Sequence, residues 1–162
     1  MENILSVDDK APEFVLDDQQ GHPHTLSSYR GHWVLVYFYP KDMTPGCTTE
    51  ACAIRDTYPK FSQHDIIVLG ISADSVESHA KFSEQHQLPF PILSDPKKKT
   101  LSAYGIWQKK TIFGKTLLGT KRMSFLINPD GIIAKVYEHV KPAEHAEEVL
   151  EDVAKQLQGS VA

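Results

Sequence analysis

An uninterrupted apolar run, Trp33-Val-Leu-Val-Tyr-Phe-Tyr39, stopped by Pro40, constrains this chain more than any other feature. Aromatic and β-branched residues without alternation make a strand covered on both faces, and proline cannot donate into a central ladder. Ile66-Ile-Val-Leu-Gly-Ile-Ser72 has the same character. Between the two, Ala51, Ile54, Tyr58 and Phe61 recur at spacings of three, four and three, the stripe of a helix with one buried face. Strand, helix and strand make a βαβ unit, so the strands are expected to be parallel neighbours with a right-handed crossover. Pro59 falls inside the stripe and is expected to kink or split the helix.

The remaining pattern extends this unit. A second helix is expected from Ser75 to His86, then an extended passage through Pro89-Phe-Pro91 into a short strand at Ile92-Leu-Ser94. Lys97 to Tyr104 suits a short helix. Met123–Asn128 and Ile132–Tyr137 are strands joined by Pro129-Asp-Gly131, the composition of a tight turn, and should pair as a hairpin. From Pro142 to Leu157, Ala146, Val149, Leu150, Val153 and Leu157 mark an amphipathic closing helix. A further hairpin is weakly signalled between Phe14 and Leu26. Gln108 to Lys121, rich in Lys, Thr and Gly, is expected to be a long loop, and loops of that length are uncommon without a function. The order implies an α/β fold: a mixed central sheet with helices on both faces, in one domain over residues 1–162.

Composition narrows the function. The chain has 17 Lys and Arg against 21 Asp and Glu, a formal net charge of −4. Nucleic acids and anionic membranes both demand a basic field, so neither is an expected partner. No apolar run reaches membrane-spanning length, and the N-terminus lacks a basic start followed by an apolar stretch, which points to the cytoplasm. Two cysteines in a reducing compartment do not favour a permanent structural disulfide.

The chemistry concentrates in Pro40-Lys-Asp-Met-Thr-Pro-Gly-Cys47-Thr-Thr-Glu-Ala-Cys52, between the first buried strand and its helix. Thr44 suits an N-cap and Pro45 the first helical position, which puts Cys47 in the first turn. Free backbone N–H groups and the helix dipole there favour an anion, making Cys47 a candidate nucleophile. The bland alternative is a small buried hydrophobe. Two cysteines five apart, one at a helix start after a strand, favour redox chemistry.

At these residues the chain resembles a known family. Pro40, Thr44 and Cys47 match the P-x-x-x-T-x-x-C signature of the peroxiredoxins, and Arg122 matches their distant active-site arginine. The likeness is to the peroxiredoxin Q, or bacterioferritin comigratory protein, branch. It is carried by Ala11-Pro-Glu-Phe, Phe38-Tyr-Pro-Lys-Asp, the Thr44–Cys52 segment, Leu69-Gly-Ile-Ser and Pro89-Phe-Pro-Ile-Leu-Ser-Asp95. It runs from about Ala11 to the C-terminal helix. Met123, where a small polar residue is more usual, and Pro59 depart from the pattern. The resemblance implies a thioredoxin-like fold and a thiol peroxidase that needs no bound cofactor. It also implies that Cys47 attacks peroxide, that Cys52 resolves it by an intramolecular disulfide, that a thioredoxin-like dithiol recycles it, and that the chain acts as a monomer.

The residues suit such chemistry. Breaking an O–O bond needs a thiolate and donors on the leaving oxygen. Arg122 supplies fixed donors and a charge that does not titrate, while the Thr44 hydroxyl can donate and accept at once. Pro40 is a shape element shielding sulfur from water. Glu50, placed in the first helical turn, is either an ordinary charge suited to the dipole or a positioning group. Trp107 either packs or lines an apolar approach for an organic hydroperoxide. The eight histidines form no ligand set, so no metal is expected. Two rivals remain, a thiol–disulfide reductase and a redox-sensing module. The five-residue spacing, Thr44 and Arg122 oppose the first, and multiple turnover separates the enzyme from the second.

Overall fold

In the computed structural model, which describes residues 5–160, the two apolar runs become interior strands of one sheet. The elements are β1 (Val15–Asp17), β2 (Pro23–Thr25), a 3-10 turn (Leu26–Tyr29), β3 (Trp33–Phe38), α1 (Pro45–Gln63), β4 (Ile66–Ser72) and α2 (Val76–His86). There follow β5 (Ile92–Ser94), α3 (Lys99–Ala103), β6 (Trp107–Ile112), β7 (Lys115–Thr120), β8 (Met123–Ile127), β9 (Ile133–Tyr137) and α4 (His145–Ser160). The main sheet has the order β2-β1-β5-β4-β3-β8-β9. β3, β4 and β5 are parallel, as the βαβ pattern requires, and β8, β9, β1 and β2 add antiparallel margins.

The absence of alternation in β3 has its cause in two cores. Leu35, Tyr37 and Tyr39 enter the core on one side with Ala51, Ile54 and Phe61 of α1, Phe82 of α2, and Val149 and Val153 of α4. Val34, Val36 and Phe38 enter the other, with Leu101 of α3, Tyr104, and Ala11, Phe14 and Leu26 from the N-terminal segment. Helices therefore cover both faces, and the α1 stripe is buried as its spacing requires. Met123 is fully buried in the second core, so its departure from the family pattern is one of packing.

Three expectations need correction. Residues 108–121 are no loop: β6 and β7 form a separate antiparallel hairpin. Both central residues of its turn, Phe113 and Gly114, have positive φ, 52° and 76°, which a two-residue type I′ turn requires. Phe113 stands where Asn or Asp usually announces such a turn, so composition hid it. Of the kink or split expected at Pro59, the split is absent, since α1 runs unbroken to Gln63. Its ring is exposed, while Phe61 beyond it is anchored in the core. The helix ends also shift. α3 starts at Lys99 after Lys98 adopts a left-handed conformation, and α4 starts at His145 after a turn in which Lys141 O accepts from Glu144 and His145 N–H. The Leu157 side chain and residues 1–4, on which the N-terminal reading partly rests, lie outside what is described. Among the described residues no helix is long and apolar enough to cross a membrane.

Gly70, inside β4, shows how closely β3 and β4 approach. A Cβ there would lie 2.7–2.8 Å from the Tyr37 ring and hydroxyl, and Tyr37 is itself buried among other aromatics. Gly70→Ala is expected to destabilise the fold by about 1–3 kcal/mol, the usual cost of overpacking, measured as a lowered urea midpoint with an unchanged slope. An unchanged midpoint would show that Tyr37 can move aside.

Candidate active site

Topology brings the distant residues together. β8 runs antiparallel to β3 with Phe38 opposite Met123, so Arg122 lies at the same sheet edge as Pro40 and the loop leading into α1. Such carboxyl ends of parallel strands are where open α/β sheets build their sites. Pro45 occupies the first helical position of α1 and Thr44 is its N-cap in extended conformation, as expected. The Thr44 side chain makes no capping bond: its hydroxyl donates to Lys41 O at 2.8 Å, closing the loop. The first helical bond is from Thr48 N–H to Thr44 O, which leaves the N–H groups of Gly46 and Cys47 without a carbonyl partner in the helix.

Arg122 ties this helix start to β8. Its Nη2 donates to Cys47 Sγ at 3.2 Å and its Nη1 to Glu50 Oε1 at 2.7 Å. Cys47 is 2% exposed and Glu50 not at all, so both contacts are sheltered. Gly46 permits the approach: a Cβ would stand 3.0 Å from Arg122 Nη2. Burial works against the guanidinium charge, but Glu50 and Cys47 outweigh it and hold Arg122 protonated above its ordinary range. The sulfur thus faces a fixed cation and free helix N–H groups.

Glu50 departs from the sequence expectation. It lies beyond the first turn, fully buried, and is a partner of Arg122 rather than a solvated charge. Burial pushes its carboxyl up to about 7 against the downward pull of Arg122. Glu50 Oε2 and Tyr37 Oη are the buried side-chain polar atoms without a hydrogen-bond partner among the described residues. Tyr37 stays a neutral phenol, because burial, followed by Glu50 and Cys47, raises its ionisation well above the ordinary value.

The loop between β3 and α1 is held by a network that the sequence did not announce. Asp42, 4% exposed, accepts from Tyr39 Oη at 2.6 Å and Ser78 Oγ at 2.8 Å, and lies 2.7 Å from His79 Nδ1. Its backbone N–H donates to Asp74 Oδ2 at 2.8 Å, and His79 Nε2 faces Leu93 O at 2.9 Å. Asp42, Asp74 and His79 could geometrically surround an ion. Asp42 is bonded to Tyr39, Ser78 and His79, Asp74 Oδ2 accepts from Ser72 Oγ and the Asp42 N–H, and His79 faces Leu93 O, so the group works as a hydrogen-bonded brace. Three other histidine–carboxylate contacts, His24 with Asp18, His32 with Asp65 and His145 with Glu148, lie away from this site.

Of the expected site residues, Cys47 and Arg122 touch, while Thr44 and half-buried Pro40 flank them in the same loop. Cys52 does not join them. It is half-buried one turn further along α1, with its sulfur 3.8 Å from His86 Nδ1 at the end of α2. Trp107 packs against the second core, and it also lines a cleft of about 360 Å³ with Pro40, Lys41, Leu117 and Leu118. Both sequence readings of Trp107 therefore have a structural counterpart.

The raised Glu50 carboxyl makes stability pH-dependent. A group at about 7 when folded and near its ordinary 4.5 when unfolded binds more protons in the folded state between those values. Its contribution is most favourable below about pH 4.5 and is lost as the pH rises through about 7. Glu50→Gln cannot ionise, so its stability relative to the parent should improve from pH 4.5 to 7, by on the order of 2–3 kcal/mol. Urea titrations at intervals across that range measure it, and a pH-independent difference would place the Glu50 titration outside the range.

Comparison with known proteins agrees with this geometry. The model of the AhpC/TSA family matches residues 7–136. Peroxiredoxin Bcp of Bacillus subtilis (strain 168) is 43% identical over 147 residues, covering 91% of this chain and 94% of that protein. A crystal structure of a PrxQ mutant from Xylella fastidiosa superposes with a TM-score of 0.90 at 33% identity, covering 96% of this chain and 99% of that one. The bacterioferritin comigratory protein of Xanthomonas campestris, studied for its alkyl peroxide reduction activity, gives 0.84 at 37% identity, with 88% and 91% covered. The chain belongs to the AhpC/TSA family and is a peroxiredoxin with the thioredoxin-like fold, similar to the peroxiredoxin Q and bacterioferritin comigratory proteins.

Proposed function

We propose that this peroxiredoxin reduces hydrogen peroxide and alkyl hydroperoxides with Cys47 as the attacking sulfur and Cys52 as the resolving one. Thioredoxin or a similar dithiol donor recycles it. The observation that carries the reading is the contact of Arg122 Nη2 with Cys47 Sγ, 3.2 Å, at a buried helix start. The thiolate attacks one peroxide oxygen, the O–O bond breaks, and the departing oxygen takes a proton to leave as water or alcohol. Negative charge moves from sulfur to that oxygen, and Arg122 with the free N–H of Cys47 lies where it can follow the charge. Thr44 and Pro40 shape the approach, and the cleft lined by Pro40 and Trp107 suits an alkyl substituent. The alkyl peroxide activity of the Xanthomonas relative supports the same substrate class.

The sulfenic acid left on Cys47 condenses with Cys52, releasing water and forming a disulfide. Exchange with a dithiol then restores both thiols. This reading takes the chain as one thioredoxin-like domain, acting as a cytoplasmic monomer without a bound cofactor. Cys47→Ser should abolish peroxide consumption. Cys52→Ser should still consume one equivalent and yield a sulfenic acid that dimedone traps, seen by mass. A Cys52→Ser protein that reacts no faster than free cysteine would reverse the assignment.

Both cysteines lie within α1, and an intact α-helix holds residues five apart with Cα atoms roughly 8.6 Å from each other. A disulfide needs no more than about 7 Å, so the first turns must unwind on oxidation. Hydrogen exchange should show protection of residues 48–55, whose N–H groups are bonded within the helix, in the reduced protein and its loss in the oxidised one. Equal protection in both, with the disulfide confirmed by mass, would rule out unwinding.

A further inference from the structure

The proposed mechanism gives Cys52 a task but not the means to become a thiolate. It has neither the helix N-terminus nor Arg122. Its surroundings supply another group. Cys52 Sγ lies 3.8 Å from His86 Nδ1, within reach of a thiol donating to an imidazole nitrogen. The two residues are 34 apart in sequence and on different helices, so the pair is a tertiary feature rather than a local accident. The His86 ring is held from its own helix by Phe82, edge to face at 5.3 Å between centroids. Its backbone is held from α1, where Arg55 Nη1 donates to His86 O at 2.8 Å. Among the described residues the charged side chain set against the pair is Arg55, whose Nε also donates to Asp56 Oδ1 at 3.0 Å.

We infer that His86 is the proton acceptor for Cys52, generating the thiolate that attacks the Cys47 sulfenic acid. This rests on the two-cysteine reading above. The thiol proton passes to Nδ1, the Cys52 sulfur forms the S–S bond, and the sulfenic oxygen leaves as hydroxide. That hydroxide and the imidazolium proton together make one water. Cys52 is oxidised and the Cys47 sulfur is reduced from the sulfenic level, so no outside oxidant enters. His86 is the last residue of α2, so its ring stands at the helix end that faces α1. The proton leaves Cys52 while α1 is still folded, and unwinding then carries a charged sulfur toward Cys47.

Rapid mixing of the reduced protein with hydrogen peroxide separates a peroxide-dependent phase, forming the sulfenic acid, from a peroxide-independent phase, forming the disulfide. His86→Asn keeps a polar group at the position and removes the base. It should leave the first phase unchanged and slow the second by about 10- to 100-fold near neutral pH. In a Cys47→Ser background, where no peroxide chemistry occurs, the same substitution should slow iodoacetamide alkylation of Cys52 several-fold at pH 7. An unchanged second phase and equal alkylation would overturn the role of His86, as would a variant that loses both phases together. A parent protein that forms the sulfenic acid but no Cys47–Cys52 disulfide would instead overturn the two-cysteine reading on which it rests.

Discussion

One guanidinium organises the site. Arg122 reaches Cys47 with one nitrogen and Glu50 with another, and it can do both only because β8 runs antiparallel to β3 with Met123 opposite Phe38. A parallel β8 would carry its N-terminal residue to the far edge of the sheet. The planar fork matters as much as the charge, since a single ammonium could not hold two partners at fixed separation. The fit extends to Gly46, where any side chain would crowd the guanidinium. The Arg122–Cys47 contact is thereby coupled to sheet topology.

Glu50 sets the electrostatic terms of that arrangement. An arginine beside a thiolate alone would be neutralised by it, and beside a carboxylate alone would be a plain ion pair. Here a carboxyl raised to about 7 shares the cation with the sulfur, so the proton on Glu50 governs how much of Arg122 is available to Cys47. Asp42 works differently. Its oxygens are committed to Tyr39, Ser78 and His79, and it fixes the loop that presents Thr44 and Pro40. One buried carboxyl is left a free oxygen and the other is saturated. That separates a group placed to titrate from a group placed to hold.

The sequence made legible whatever depends on local pattern. Continuous apolar runs meant strands covered twice, the stripe of α1 gave its buried face, and Thr44-Pro45 located the helix start beneath Cys47. Ser75 likewise caps α2, accepting from Ser78 N–H. What stayed hidden depends on contacts between distant segments or on a turn of unusual composition. Glu50 looks like a surface glutamate until Arg122, 72 residues away, folds over it. His79 and His86 could be counted but not assigned, because their partners Asp42 and Cys52 come from α1 and the loop before it. The β6–β7 hairpin was missed because Phe113 occupies a position where a small polar residue is the usual signal.

The two sulfurs share a helix and yet stand in opposite environments, and this division follows from where α1 touches the rest of the protein. At its start α1 meets the sheet edge and Arg122; one turn later it meets the end of α2, where Arg55 donates to the His86 carbonyl. The first contact sets a fixed cation against the Cys47 sulfur, and the second sets the His86 ring against the Cys52 sulfur. Because α1 is anchored further along by Phe61 in the core, with Tyr58 packed against it, loss of its first turns need not release the whole helix. The far end of α1 belongs to the core while its start carries both sulfurs, so the start can open locally without global unfolding.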